Sequence, residues 1–217
     1  MRQNAVKHAL KSGPPSVGTW LSLGSITAAR FMARAGFNWL TTDIEHSHVD
    51  WETATHMFAA MRYPPVGNRS VGGSVHALNF GTNANDYYAH ANEELLVVLQ
   101  CEHITAVENA DAIFSVPGID AIFVGPNDLA QSMRSKDNKP PSAQATKEAM
   151  DHILKTCKKY GVAPGLHTGS ADEANARIAE GWQFIAITSE SKMMLNGAAQ
   201  EVNKLPTAPK KGEMAKY

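Results

Sequence analysis

Short apolar runs with strand character alternate with capped, amphipathic helical stretches along most of the chain, and this alternation limits the fold more than any other feature. Val17–Leu23 reads as a strand. Ser25 caps a helix carrying Ile26, Ala29 and Ala33 on one face, and Gly36 ends it. Phe37–Ile44 is the next strand, and Asp50 caps a helix near Trp51–Ala60. Leu95–Gln100 is continuously apolar until its last residue, the pattern of a strand covered on both faces. Thr105-x-x-Glu108 has capping-box spacing and opens another helix. Ala121–Gly125 is a strand, Ala145–Tyr160 a long helix stopped by Gly161, and Val162–Leu166 a strand. Ser170-x-x-Glu173 is a second capping box, and Gly181 closes its helix. Phe184–Thr188 is the sixth strand, with a helix after it around Lys192–Lys204.

Such alternation builds a mostly parallel α/β sheet, either open and doubly wound or closed into a barrel. Neither G-x-G-x-x-G nor G-x-x-x-x-G-K-[ST] occurs, so the usual dinucleotide and P-loop signatures are absent. Polar residues sit instead at the C-terminal ends of several strands: Asp43, Glu45 and His46; Gln100 and Glu102; Asn127 and Asp128. A barrel carries its chemistry at those ends. The count falls short, however. Six strands are legible where the (β/α) barrel has eight, and 217 residues is below the roughly 250 typical of that fold. Between Ala60 and Leu95 runs an irregular interval, with Tyr63-Pro64-Pro65-Val66-Gly67, then Gly72-Gly73, then a possible helix near Asn83–Glu93.

Lys plus Arg numbers 20 and Asp plus Glu 21, which gives no electrostatic reason to expect a nucleic-acid or acidic-membrane partner. No apolar string approaches the ~18 residues of a membrane span. Two cysteines, Cys101 and Cys157, cannot build a disulfide framework and suit a reduced, cytoplasmic compartment. No acid precedes Asp43, one feature of a transit peptide, but the same stretch already reads as helix, strand and helix. Residues 1–205 are expected to form one domain, and 206–217 a loose polar tail.

Glu102 and Asp128 end successive strands and are placed to converge. Two carboxylates, with water and a chelating substrate, suit octahedral Mg²⁺ or Mn²⁺. The alternatives are solvated loop carboxylates, or Asp128 capping the next helix. In Asp43-x-Glu45-His46-x-His48, His46 can serve as a general base. His46 and His48 also have the spacing of some zinc sites, which would suit a zinc hydrolase. The turn Gly125-Pro126-Asn127-Asp128-Leu129 and the helix start at Gly169-Ser170 could each offer backbone N–H groups to an anion. None of the six strands holds a lysine, so a Schiff-base aldolase is disfavoured. The lysines read as solvated charges of helices and tail, Cys101 as a small buried hydrophobe, and His167 and the remaining histidines carry no role from sequence alone.

Several motifs, in order along the chain, resemble the HpcH/HpaI aldolase family: Gly18-Thr19-Trp20-Leu21-Ser22-Leu23, Ala35-Gly36-Phe37-Asn38-Trp39-Leu40, Asp43-x-Glu45-His46, Arg62-Tyr63-Pro64-Pro65-x-Gly67-x-Arg69, Gln100-x-Glu102, and Val124-Gly125-Pro126-Asn127-Asp128-Leu129. The resemblance implies a TIM-type barrel and a class II, metal-dependent aldolase that acts on 4-hydroxy-2-oxo acids through a pyruvate enolate. It implies a 2-oxo acid and an aldehyde as small-molecule partners, and a homo-oligomer, commonly a hexamer with exchanged C-terminal helices. Residue by residue, His46 resembles the general base. Glu102 and Asp128 resemble the ligands of Mg²⁺, Mn²⁺ or Co²⁺. Gln100 resembles a substrate-side contact, and Asn127 and Asp128 resemble backbone donors to the pyruvate carboxylate.

The chain also departs from that family. Relatives carry two more strand–helix units between the Trp51 helix and the Tyr-Pro-Pro segment, whereas here Ala60-Met61-Arg62-Tyr63 joins them directly. The absent third strand normally brings an arginine that steadies negative charge, and Arg62 and Arg69 do not match it. The expectation is a barrel with about six of its eight units, and an aldolase impaired by the loss. The alternative is a non-catalytic remnant that binds a divalent metal and a small 2-oxo acid.

Overall fold

The computed structural model describes residues 3–23, 28, 31–42 and 82–205. Asp43, Glu45, His46, His48, the caps at Ser25 and Asp50, the Trp51–Ala60 helix, the Ala60–Met61 junction, the Tyr-Pro-Pro segment and the tail from 206 lie outside the described residues. In chain order the described elements are α1 (Ala5–Ser12), β1 (Ser16–Leu21), β2 (Trp39–Thr42), α2 (Ala84–Glu94), β3 (Val98–Gln100), α3 (Ile104–Glu108), α4 (Ala110–Phe114), β4 (Ala121–Val124), α5 (Pro126–Ser132), α6 (Ala143–Tyr160), β5 (Ala163–Thr168), α7 (Ala171–Glu180), β6 (Phe184–Ser189) and α8 (Glu190–Val202).

The six strands form one sheet in the order β2-β1-β6-β5-β4-β3, every neighbouring pair parallel. β1 and β4 are three strand spacings apart, on the order of 14 Å in a flat sheet. Yet the rings of Trp20 on β1 and Phe123 on β4 meet with centroids 5.9 Å apart. The sheet is therefore curled into a half-barrel, an incomplete form of the expected TIM-type barrel.

Alternation along the strands sorts side chains to two faces. Ala121, Phe123, Ala163, Phe184 and Ala186 share the concave interior with Trp20, Trp39 and Val98. Ile122, Val124, Leu166 and Ile185 point outward into a second core made with the helices, where Ile153 and Trp182 are buried. Inside, Trp39 stacks on Phe184 with ring centroids 4.4 Å apart, across the intervening β1. Gly18 makes this possible, since a Cβ there would lie 2.1 Å from the Trp39 ring.

The long helix is capped as its sequence predicts. Gly161, at φ 67°, ends α6, while its start lies slightly earlier, at the Ser142 cap. In α7 the Ser170 hydroxyl accepts from Glu173 N and Gly181, at φ 105°, closes the helix.

Three expectations need correction. Leu95–Gln100 is a strand only over Val98–Gln100, because Asp120 Oδ2 takes the Val97 N–H and Lys7 takes the Leu95 carbonyl. Its cover is also incomplete: β3 is an end strand of the described sheet, and Leu99 is 37% exposed. Thr105 does not cap the helix after β3. The ladder continues to Cys101, whose N–H donates to Phe123 O, and His103 then caps α3 by accepting from Thr105 N. Finally, Lys7 is not a solvated charge. It is 6% exposed, and its Nζ donates to Leu95 O at 2.6 Å and to Asp120 Oδ2 at 3.0 Å, beneath the N-terminal ends of the strands.

Candidate active site

Val98, Gln100 and Glu102 alternate along β3 and its exit, and Val98 faces the interior. Gln100 pairs with Phe123, which brings Glu102 level with Gly125 at the end of β4. Pro126 occupies the first helical position of α5, where the lack of an N–H costs nothing, and the chain turns at once into a helix with Asp128 in its first turn. The two acids meet over Gly125. A Cβ built on that glycine would lie 2.6 Å from Glu102 Oε2 and 3.0 Å from Asp128 Oδ2. The two oxygens are thus no farther apart than the sum of those distances. Glu102 is half-buried, while Gln100, Asn127 and Asp128 are exposed.

Among the described residues no group of three His, Cys, Asp or Glu side chains forms a metal cluster. The donor set still fits a hard cation. Mg²⁺ is commonly held by one or two carboxylates, with the remaining positions taken by water and substrate oxygen. The first-turn amides of Asn127 and Asp128 have no intrahelical acceptor, as at any helix start. Asp128 also sits where an acidic side chain complements the helix dipole, so its placement has a structural reason as well. His46 and His48, the pair with zinc-site spacing, lie outside the described residues.

Other sequence candidates resolve differently. The Gly169-Ser170 helix start is already occupied: Gly169 N donates to Glu173 Oε2 at 2.8 Å, so it offers no anion site. The described strands hold no lysine. Cys101 is 2% exposed, and burial, aided by the Glu102 charge, pushes its thiol up to about 11. Burial likewise raises the Cys157 thiol to about 12. Neither is a nucleophile at neutral pH.

The sequence reading missed two residues at this end of the sheet. Glu190, only 4% exposed, opens α8 and accepts the N–H groups of Ser22 at 2.5 Å and Leu23 at 2.7 Å. It ties the loop leaving β1 to the end of β6. His167 is the other: Ala163 faces the interior, so strand alternation places the side chain four residues on at 167 on the same face. The only available signals were the strand-end positions of both residues.

The HpcH/HpaI aldolase/citrate lyase family profile matches residues 48–197. The chain belongs to this family. The 4-hydroxy-2-oxo-heptane-1,7-dioate aldolase of Salmonella arizonae is 28% identical, over 90% of this chain and 92% of that protein. The alignment runs over 244 positions, more than the 217 residues present here, so the relative contains positions without a counterpart in this chain. An HpcH/HpaI family structure from Burkholderia cenocepacia J2315 is 28% identical and superposes with a TM-score of 0.79, over 93% of this chain and 99% of that one. The citrate lyase beta subunit of M. tuberculosis, complexed with oxaloacetate and magnesium, shares the fold at 15% identity and a TM-score of 0.52, over 88% of this chain and 98% of that one.

Proposed function

We propose that this HpcH/HpaI family member is a divalent-metal-dependent carbon–carbon lyase, a class II aldolase. It cleaves or forms 4-hydroxy-2-oxo acids through the enolate of pyruvate, at a rate lowered by the absent strand–helix units. The convergence of Glu102 and Asp128 over Gly125 carries this reading. The magnesium and oxaloacetate bound by the M. tuberculosis citrate lyase subunit support it.

Glu102 and Asp128 would hold Mg²⁺, Mn²⁺ or Co²⁺. A bound cation supplies positive charge that stabilises the enolate of the 2-oxo acid. The Asn127 and Asp128 amides orient the pyruvate carboxylate, and Gln100 contacts the substrate from β3. On cleavage His46 takes the proton of the aldol hydroxyl and a proton is delivered to C3 of the pyruvate enolate, directly or through a water, with the reverse transfers on synthesis. The loss of a group that steadies developing negative charge costs about 10²–10³-fold in rate, the scale of the expected impairment. In the same reading the enzyme is cytoplasmic and homo-oligomeric.

The test is pyruvate release from a 4-hydroxy-2-oxo acid, with Mn²⁺ or Mg²⁺ and with chelator. Metal-stimulated turnover, lost in Glu102→Ala, Asp128→Ala and His46→Ala, is expected. Turnover that ignores the metal, or that survives His46→Ala, overturns the proposal. The end strands β2 and β3, each paired on one side among the described residues, favour one second reading: a remnant that binds without catalysis. Calorimetric binding of pyruvate with Mg²⁺, without turnover, would select it.

A further inference from the structure

The register between β4 and β5 brings one more polar residue to the rim of the sheet that carries the candidate site. The ladder pairs Ala121 with Ala163, Phe123 with Gly165 and Val124 with Leu166, so the next step sets Gly125 beside His167. On its other side His167 pairs with Ala186 of β6. Ala121, Phe123, Ala163 and Ala186 all face the interior, and His167 continues that face. Glu102, Gly125 and His167 are thus level with one another at three consecutive strand ends, the two carboxylates over the middle one.

The imidazole is oriented by β6. His167 Nε2 lies 3.3 Å from Thr188 O, and a carbonyl can only accept, so Nε2 carries the hydrogen. In the neutral ring Nδ1 is then a bare acceptor. Burial shifts the imidazole below its ordinary value, which favours that neutral form. Thr188 itself is unusual. It is a β-branched residue at φ 45°, beside the register shift between β1 and β6, and such strain collects at functional sites. Its carbonyl also accepts from Thr19 Oγ1. The Thr188 hydroxyl and the Trp20 indole N–H are both buried without a partner among the described residues. This flank of the site therefore holds buried polar groups that no described residue satisfies.

We infer that His167 is a specificity-determining contact: its Nδ1 accepts a hydrogen bond from a hydroxyl on the aldehyde-side fragment, so hydroxylated aldehydes are preferred over their deoxy analogues. This rests on the aldolase reading above. A carboxylate-bearing aldehyde gains nothing there, since a carboxylate brings no donor to a bare acceptor.

The experiment measures kcat/KM for glycolaldehyde and acetaldehyde with saturating pyruvate and Mn²⁺, in the wild type, His167→Leu and His167→Asn. The ratio of the two cancels any general loss of folded enzyme. His167→Leu should lower the preference for glycolaldehyde about three- to tenfold, the loss of one hydrogen bond, through KM rather than kcat. His167→Asn, whose Oδ1 can replace Nδ1 as acceptor, should keep most of it. An unchanged ratio in His167→Leu, or equal loss for both aldehydes, overturns the inference and leaves the aldolase reading intact. No metal-dependent product from the wild type with either aldehyde overturns both.

Discussion

Glu102 Oε2 and Asp128 Oδ2, from two successive strand ends, both approach within 3.0 Å of the point where a side chain on Gly125 would begin. The glycine is therefore a condition of the acids' convergence. In Gly125→Ala the added methyl displaces the carboxylates. Glu102 is long and can swing aside, so the fold should survive with little loss of stability. Displacing groups that position a metal costs about 10–100-fold in affinity or activity, and that loss is expected here. Mn²⁺ titration calorimetry beside a urea melt checks both halves. Undiminished Mn²⁺ affinity in a folded Gly125→Ala protein would mean the acids do not bind as a pair.

Glu190 makes a separate prediction at the β1 end of the sheet. Its carboxylate accepts from the backbone N–H groups of Ser22 and Leu23 and from the Ser22 hydroxyl. Glu190→Ala leaves those donors without their acceptor, and hydrogen bonds to a charged group are worth roughly 1.5–3 kcal/mol. A loss of about 2–3 kcal/mol is expected in urea denaturation. Faster amide exchange should appear at Ser22 and Leu23 and not in α6. Glu190→Gln, which keeps an acceptor oxygen, should lose less.

Much of this was legible in the sequence because it is local. Strand–helix alternation, the Ser170 and Gly181 caps and the polar residues after each strand are set by neighbours a few positions away. Glu102 and Asp128 were legible as a pair because strand ends of a parallel sheet share one rim. Lys7 was not, because its partner Asp120 is 113 positions distant and only the fold joins them. His103 displaced Thr105 as a cap because the β3 ladder runs on to Cys101, a tertiary fact. His167 acquires its setting only from the register of β4 with β5.

The Lys7–Asp120 pair should be costly to break. The two side chains are 8% and 9% exposed, and Asp120 Oδ2 also accepts the Val97 N–H. Removing one partner leaves an uncompensated buried charge, which costs about 3–5 kcal/mol. Asp120→Ala and Lys7→Met should each lower stability by that order in urea. A double replacement with apolar residues should recover much of the loss. If each single variant costs less than about 1 kcal/mol, the pair is solvated in solution as surface pairs are.

His167 should make the protein acid-sensitive in a defined direction. Burial holds its imidazole below the ordinary value of 6.5, the nearby Lys192 charge acts the same way, and the Thr188 carbonyl and Glu173 oppose it. The unfolded chain therefore binds a proton more readily than the folded one. The stabilising contribution is fully present above the unfolded value and is lost as pH falls through the lower folded value. Denaturation midpoints measured from pH 7.5 downward should fall more steeply for the wild type than for His167→Asn once the pH passes below about 6.5. An NMR titration should find the His167 ring protonating below that value. If it titrates at or above 6.5, the ring is solvated, and its neutral state at neutral pH owes nothing to burial.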